Sequence, residues 1–317
     1  MKRILMALTA VLTLAVGAVD TGLLKYVPAK SELTFLIDVD KVLKLPAAKS
    51  VLEDEEVSGA AAELAKAGVG FSDIKAAMGF AHENDGGVVL KICNGNKIKE
   101  LLDSSPNQNG LTIEAMQVNG RRIYRFIAKG RGEKPVCTFI ADDLILWADG
   151  VKNLERFIAA PKLSAAETGK FASGIPAGIA FWGAWRNPEP APKQGDKAAD
   201  RVEAVTATLD FTGKELRDID VTADILCGSG NFASMLGMMI PGYVSIGSGV
   251  VFSDAPELGE ELMKGFKSRI DGKMLKLRLH ISEKLVRHIT EFSTRMAKEQ
   301  VAPVAQDGKA PGAVPAK

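Results

Sequence analysis

LTIEAMQVNGRRIYRFIA, residues 111–128, reads as two strands joined by Asn119-Gly120. A two-residue hairpin loop of type I′ needs a positive φ at both central positions, and Asn-Gly supplies them. Hairpins join antiparallel strands, whereas parallel strands need long crossovers. The signal recurs on both sides. Upstream, IKAAMGFAHENDGGVVLKICN (74–94) sets Asn84-Asp85-Gly86-Gly87 between two strand-like runs. Downstream, PVCTFIADDLILWAD (135–149) turns at Asp142-Asp143.

Outward from these hairpins, residues 33–40 alternate. Leu33, Phe35, Ile37 and Val39 share one face; Thr34, Leu36, Asp38 and Asp40 share the other. Helical patterns follow at 47–52 (Ala47, Ala48, Val51, Leu52, after Pro46), at 58–68 between Ser58 and Gly68, at 97–102 and at 152–159. Ile175-Pro176-Ala177 ahead of 179–185 repeats Val27-Pro28-Ala29 ahead of 33–39, a loose pseudo-repeat. NPEPAPKQGDKAAD (187–200) is a stiff polar connection. Strands are expected at 203–211 and 216–226. A short helix at 232–240 carries Met235, Met238 and Met239, a stripe that reads as adaptable core.

Asp254 and Glu257 form a capping-box pattern before a helix at 258–270. In 273–281, Leu275, Leu277, Leu279 and Ile281 point inward, and Lys276, Arg278 and His280 outward. Ser282 caps a last helix bearing Leu285, Ile289, Phe292 and Met296. The expected architecture is α+β: antiparallel sheets with helices mainly on one face, in two related units side by side, 19–170 and 171–300. The tail, 301–317, lacks periodicity and is expected to be disordered.

The chain opens with basic Lys2 and Arg3, an apolar run over 4–16, and the small residues Gly17 and Ala18. That is the pattern of a signal peptide, expected to be cleaved after Ala18. No Cys follows it to carry a lipid anchor, and no later segment reads as long and apolar enough to span a bilayer. Export to the periplasm or the medium is the expectation. Loss of residues 1–18 removes two of 40 basic residues and none of 39 acidic ones, leaving a net charge of −1. A balance so near neutral offers no broad attraction to nucleic acid. Cys93, Cys137 and Cys227 lie far apart in apolar stretches. They read as buried small side chains, although an oxidising compartment leaves one bridge open, its pairing not chosen by spacing.

Asp38 and Asp40 carry the strongest enzyme-like signal. Residues 33–40 resemble the first motif of the haloacid-dehalogenase phosphatases, an apolar strand ending in Asp-x-Asp. The resemblance implies a magnesium-dependent phosphohydrolase with Asp38 as nucleophile and Asp40 as general acid, and FIADD (139–143) resembles that family's later acidic pair. Against it, Lys41-Val42 replaces Gly-Thr, and the intervening hairpins do not fit a parallel sheet. The simpler reading makes Asp40 an oxygen acceptor for a backbone N–H of the following turn.

CGSGNFA (227–233) fits G-x-G-x-x-A, with Asp254 at ribose distance. A strand-to-helix turn capped by Ser229 or Asn231 explains it more simply. His280 and His288 sit among cations, and His82 with Glu83 and Asp85 falls in a turn, so no metal set is assembled. No G-x-S-x-G occurs. Trp182 and Trp185 are the ligand-surface candidates, for sugar or peptide, though a spacing of three places them on opposite faces of a strand.

VPAKSELTFLIDVDKVL and FIADDLILWADG, within 27–160, also resemble uncharacterised secreted bacterial α+β proteins. That resemblance implies an extracytoplasmic protein with no established activity. The expected function is an exported, non-catalytic protein, without cofactor, that binds an envelope or extracellular protein or glycan. The alternatives are the phosphohydrolase using Asp38 and Asp40, and a self-associating envelope scaffold.

Overall fold

The structure, a computed structural model, describes residues 19–43, 70–82, 85–104, 107–108, 111–128, 135–187, 200–212 and 217–301. The signal peptide, the helices expected at 47–52 and 58–68, the Glu83-Asn84 turn, most of the proline-rich connection and the tail beyond 301 lie outside the described residues.

The hairpin signals build one antiparallel sheet. In chain order its strands are β1 (Leu33–Asp38), β2 (Ile74–His82), β3 (Asp85–Ile92), β4 (Asn107–Gln108), β5 (Leu111–Val118), β6 (Arg121–Ala128), β7 (Pro135–Ala141), β8 (Leu144–Asp149), β9 (Phe181–Arg186), β10 (Val202–Thr212), β11 (Asp218–Cys227), β12 (Phe266–Asp271) and β13 (Met274–Ile281). They lie in the order β12-β13-β11-β10-β9-β1-β2-β3-β8-β7-β6-β5-β4. Asn119 and Gly120 have φ of 49° and 75°, as the turn between β5 and β6 requires.

β1 and β9 meet at the centre, in register from Leu33↔Trp185 to Ile37↔Phe181. From this seam β1-β2-β3 step outward one way and β9-β10-β11 the other. The described strands before residue 170 and those after it thus occupy the two sides of a continuous sheet.

The described helices are a 3-10 turn (Thr21–Tyr26), α1 (Val39–Val42), a second 3-10 turn (Phe71–Asp73), α2 (Gly95–Ser104), α3 (Val151–Ala159), α4 (Ala165–Ser173), α5 (Gly230–Val251), α6 (Pro256–Gly265) and α7 (Glu283–Val301). They lie on both faces. Leu36, Met78, Val89, Leu146 and Trp182 form one buried layer under the first 3-10 turn, α3 and α4. Ile92, Tyr124, Cys137 and Ile145 pack beneath α2 on the other face, where Leu279 and Ile281 also meet α5, α6 and α7. The fold is the expected α+β class; among the described residues the helices of the second unit share one face, and the first unit adds α2 on the face opposite α3 and α4.

Several boundaries differ from the sequence reading. β1 stops at Asp38, and Val39 and Asp40 open α1. The helix expected over 258–270 ends at Gly265, and residues 266–270 belong to the outermost strand. A Cβ on Gly265 would lie 2.4 Å from the His280 carbonyl oxygen, so only glycine lets the chain pass from helix to sheet there. Asp254 does not cap α6; its N-cap is Ala255, and Pro256 supplies the preset φ of the first turn.

Phe35 lies across Gly79, its direct partner on β2. A Cβ on Gly79 would fall 2.0 Å from Phe35 Cζ. Gly79→Ala should therefore destabilise the fold by about 1–3 kcal/mol through overpacking. Adding Phe35→Leu should restore part of that loss, read by urea denaturation of the single and double variants.

Candidate functional site

Asp38 is the N-cap of α1: its Oδ1 accepts the Lys41 backbone N–H at 3.0 Å. The capping role assigned to Asp40 thus belongs to Asp38. Asp40 sits in the first turn of α1 and pairs with Lys75 at 2.9 Å. Asp142 and Asp143 are exposed at the β7–β8 turn. They lie at the same end of the sheet as Asp38, since Asp38 pairs with Ala76, Ala76 with Lys91, and Lys91 with Leu144. Three strand spacings separate β1 from β8, about 14 Å, and all these strands are antiparallel. No group of three or more His, Cys, Asp or Glu side chains is placed to hold a metal among the described residues.

Trp182 is 2% exposed, in the core, its ring edge-on to Phe171 at 5.7 Å. It offers no surface to a sugar or peptide. Trp185 is half-buried, and alternation turns it to the other face. Ser229 Oγ accepts the Phe232 N–H at 3.1 Å, which makes the glycine-rich stretch a helix cap. His280 pairs with Asp220 at 2.8 Å, and His288 with Asp254 at 3.2 Å. The cysteines are free, Cys137 and Cys227 are buried, and burial pushes the Cys137 thiol up to about 12.

Among the described residues two concavities stand out. An open groove of about 550 Å³ is lined by Asn94, Lys97, Glu100, Asp142 and Asp143. A smaller, mostly apolar one of about 170 Å³ lies between Phe80, Val89, Ile140, Phe157 and Lys162. The Lys162 ammonium donates to the Phe157, Ile158 and Ala160 carbonyls, finishing α3 rather than reaching into the cavity. Neither space gathers a nucleophile with a base.

The exceptional surface is α5. Its 22 residues, GNFASMLGMMIPGYVSIGSGVV, include no charged side chain. The sequence reading closed this helix at Ile240; the structure carries it through Pro241 to Val251. It also packs inside out. The inner seam is made of small residues: Ala233 and Ser248 are buried, and a Cβ on Gly237 would stand 3.0 Å from Ile270 Cδ1 and 3.4 Å from Leu275 Cδ1. The large apolar residues point out. Met238 is 75% exposed, Ile246 68%, Tyr243 64% and Val250 62%, with Met235 and Met239 also exposed.

The methionines expected in the core are therefore at the surface. Periodicity misled because this helix is apolar on every side, so its pattern does not tell the inner face from the outer.

α5 is long and apolar enough to cross a membrane, by length and composition alone. It is also a weak helix in water. A methyl group on Gly242, Gly247 or Gly249 would meet nothing within 4 Å, so packing does not require glycine there. Each interior glycine costs about 1 kcal/mol relative to alanine, and proline about 3.

No protein-family model and no curated protein matches the chain. Among solved structures, crystal form III of TP0453 is similar at a TM-score of 0.48 and 11% identity, over 84% of this chain and 97% of that one. Crystal form IV of TP0453 gives 0.47 and 12%, over 86% and 97%. At TM-scores below 0.5, neither likeness carries a functional argument.

If Asp38 serves as a cap, Asp38→Asn should keep nearly full stability, while Asp38→Ala should lose about 1 kcal/mol. Chemical denaturation of the two variants checks this. Equal losses would remove the capping role.

Proposed function

We propose that this is an exported, non-catalytic binding protein that docks on the lipid surface of the envelope through the outer face of α5. One observation carries the reading: a helix free of charge presents its large side chains to solvent and its small ones to the protein. Soluble monomers rarely leave a contiguous apolar patch of that kind without a partner. At 1.5 Å per residue the helix is about 33 Å long. Its inner seam is held by its own sheet, so the helix lies in the interface plane with one face in lipid, rather than crossing.

Full burial of a Leu-sized side chain is worth about 1.5–3 kcal/mol. Six partly exposed side chains then supply on the order of 5 kcal/mol, before the cost of immobilisation. The expected export route supports the same reading, because it delivers the chain to a compartment bounded by lipid. Among the described residues no observation favours the phosphohydrolase alternative, since Asp38 caps α1 and Asp40 is engaged by Lys75.

Flotation of the exported protein with phosphatidylcholine vesicles tests the proposal. The wild-type chain should float with the vesicles. Tyr243→Asp/Ile246→Asp should stay at the bottom with an unchanged melting temperature, because both side chains are exposed and surface changes move stability by about 0.5 kcal/mol or less. Wild-type protein that stays with the soluble fraction, or a variant that floats equally well, would overturn it.

A further inference from the structure

The last strand of the sheet is open. Among the described residues no strand pairs with the outer side of β12, and Lys267, Ser268, Arg269, Ile270 and Asp271 are all exposed. The β12–β13 hairpin closes on Asp271 and Met274 around Gly272-Lys273. Gly272 takes the positive φ, 60°, that a type II′ turn needs at its first central position.

That turn sorts the backbone of β12. The pair closing a two-residue loop exchanges both hydrogen bonds, and bonded and non-bonded pairs alternate from there. Asp271, Arg269 and Lys267 therefore bond inward to β13. Ser268 and Ile270 turn their N–H and C=O groups to the open edge, and among the described residues no backbone bond outside the sheet takes them up.

Alternation sorts the side chains. Ile270 and its partner Leu275 would both touch a Cβ on Gly237, which places them on the α5 side, yet Ile270 is 42% exposed. Lys267 and Arg269 lie on the other face, opposite Arg278 and Lys276. Like charges directly opposite one another destabilise a strand pair. Among the described residues, ion pairs join Asp271 to Lys276 at 3.4 Å and Asp220 to His280 at 2.8 Å, and none reaches Lys267, Arg269 or Arg278. The edge thus combines open backbone groups, an apolar side chain on one face and unneutralised cations on the other.

We infer that β12 receives an extended acidic segment of another protein as a further antiparallel strand. Its carboxylates, two residues apart, lie opposite Lys267 and Arg269, and an apolar side chain lies beside Ile270. Main-chain bonds to Ser268 and Ile270 supply affinity, and the alternating side chains supply specificity. The added strand lies in the plane of the sheet, so the inference goes beyond the lipid-docking reading and does not rest on it.

A second copy of this chain fits the edge less well. Antiparallel pairing of β12 with itself, centred on Ser268, would set Lys267 of each chain against Arg269 of the other. Sliding the pair until Arg269 meets Asp271 leaves only the end of the strand paired. Edge cations also keep strands from pairing with other chains, and the test separates that guarding role from recognition of an acidic strand.

Fluorescence anisotropy of the exported protein is read with two short labelled peptides, one alternating valine and glutamate, the other valine and lysine. The glutamate peptide should bind at least about tenfold more tightly, by a margin that shrinks as salt rises to about 0.5 M. Lys267→Glu/Arg269→Glu should reverse the preference. N-methylation of the valine amides, which face β12, should abolish binding, whereas N-methylation of the glutamate amides, which face away, should spare it. Binding of neither peptide would leave the cations as guards alone and overturn the inference. Equal binding of both peptides, an acidic preference kept by the glutamate variant, or equal effects of the two N-methylations would overturn it as well. None of these outcomes bears on flotation with vesicles, so failure here and failure of lipid docking are read separately.

Discussion

The antiparallel seam between β1 and β9 is the pairing on which the rest of the molecule depends. Five residues of β1 are matched to five of β9, and each strand carries its own half of the sheet away from that line. The seam is buried through Leu36 and Trp182 on one face and Ile37 on the other. Both halves therefore share a core, and the chain's late strands are forced to the far side. β12 becomes the rim because the strand that follows it, β13, takes the place beside β11.

That rim sets the conditions for α5. A helix packed over the interior of a sheet has apolar neighbours on several sides and buries its large residues. α5 has a sheet edge beneath it and α6 to one side, and it approaches through Ala233, Gly237 and Ser248. Close approach by small residues leaves Met238, Tyr243 and Ile246 with no protein to cover them. The apolar outer face is thus a geometric result of a small-residue seam laid on an edge.

The α+β class and the antiparallel sheet were legible because they rest on local chemistry. Asn119-Gly120 fixes its turn by φ alone, and the alternation in β13 survives as leucines toward the helices and cations away from them. What was not legible depended on tertiary context. Residues 266–270 continue a helical pattern in sequence, yet Gly265 passes under the His280 carbonyl and the chain turns into a strand.

Pro241 reads as a stop, but the helix continues through it because the turns on either side are anchored, by Leu275 and Ile270 before it and by Phe252, Leu258 and Leu285 after it. Of the proposed site residues, Asp38 rather than Asp40 is the cap, two residues earlier than expected. Trp182 went to the core, and the three methionines came out of it.

Pro241 also has a consequence for depth. Lacking an amide hydrogen, it leaves the Gly237 carbonyl without its donor along the helix axis. Water or a headgroup can satisfy such an oxygen, and hydrocarbon cannot. Under the lipid-docking proposal, this orphaned oxygen suits α5 to a place at the wet boundary and not to a passage through the hydrocarbon layer.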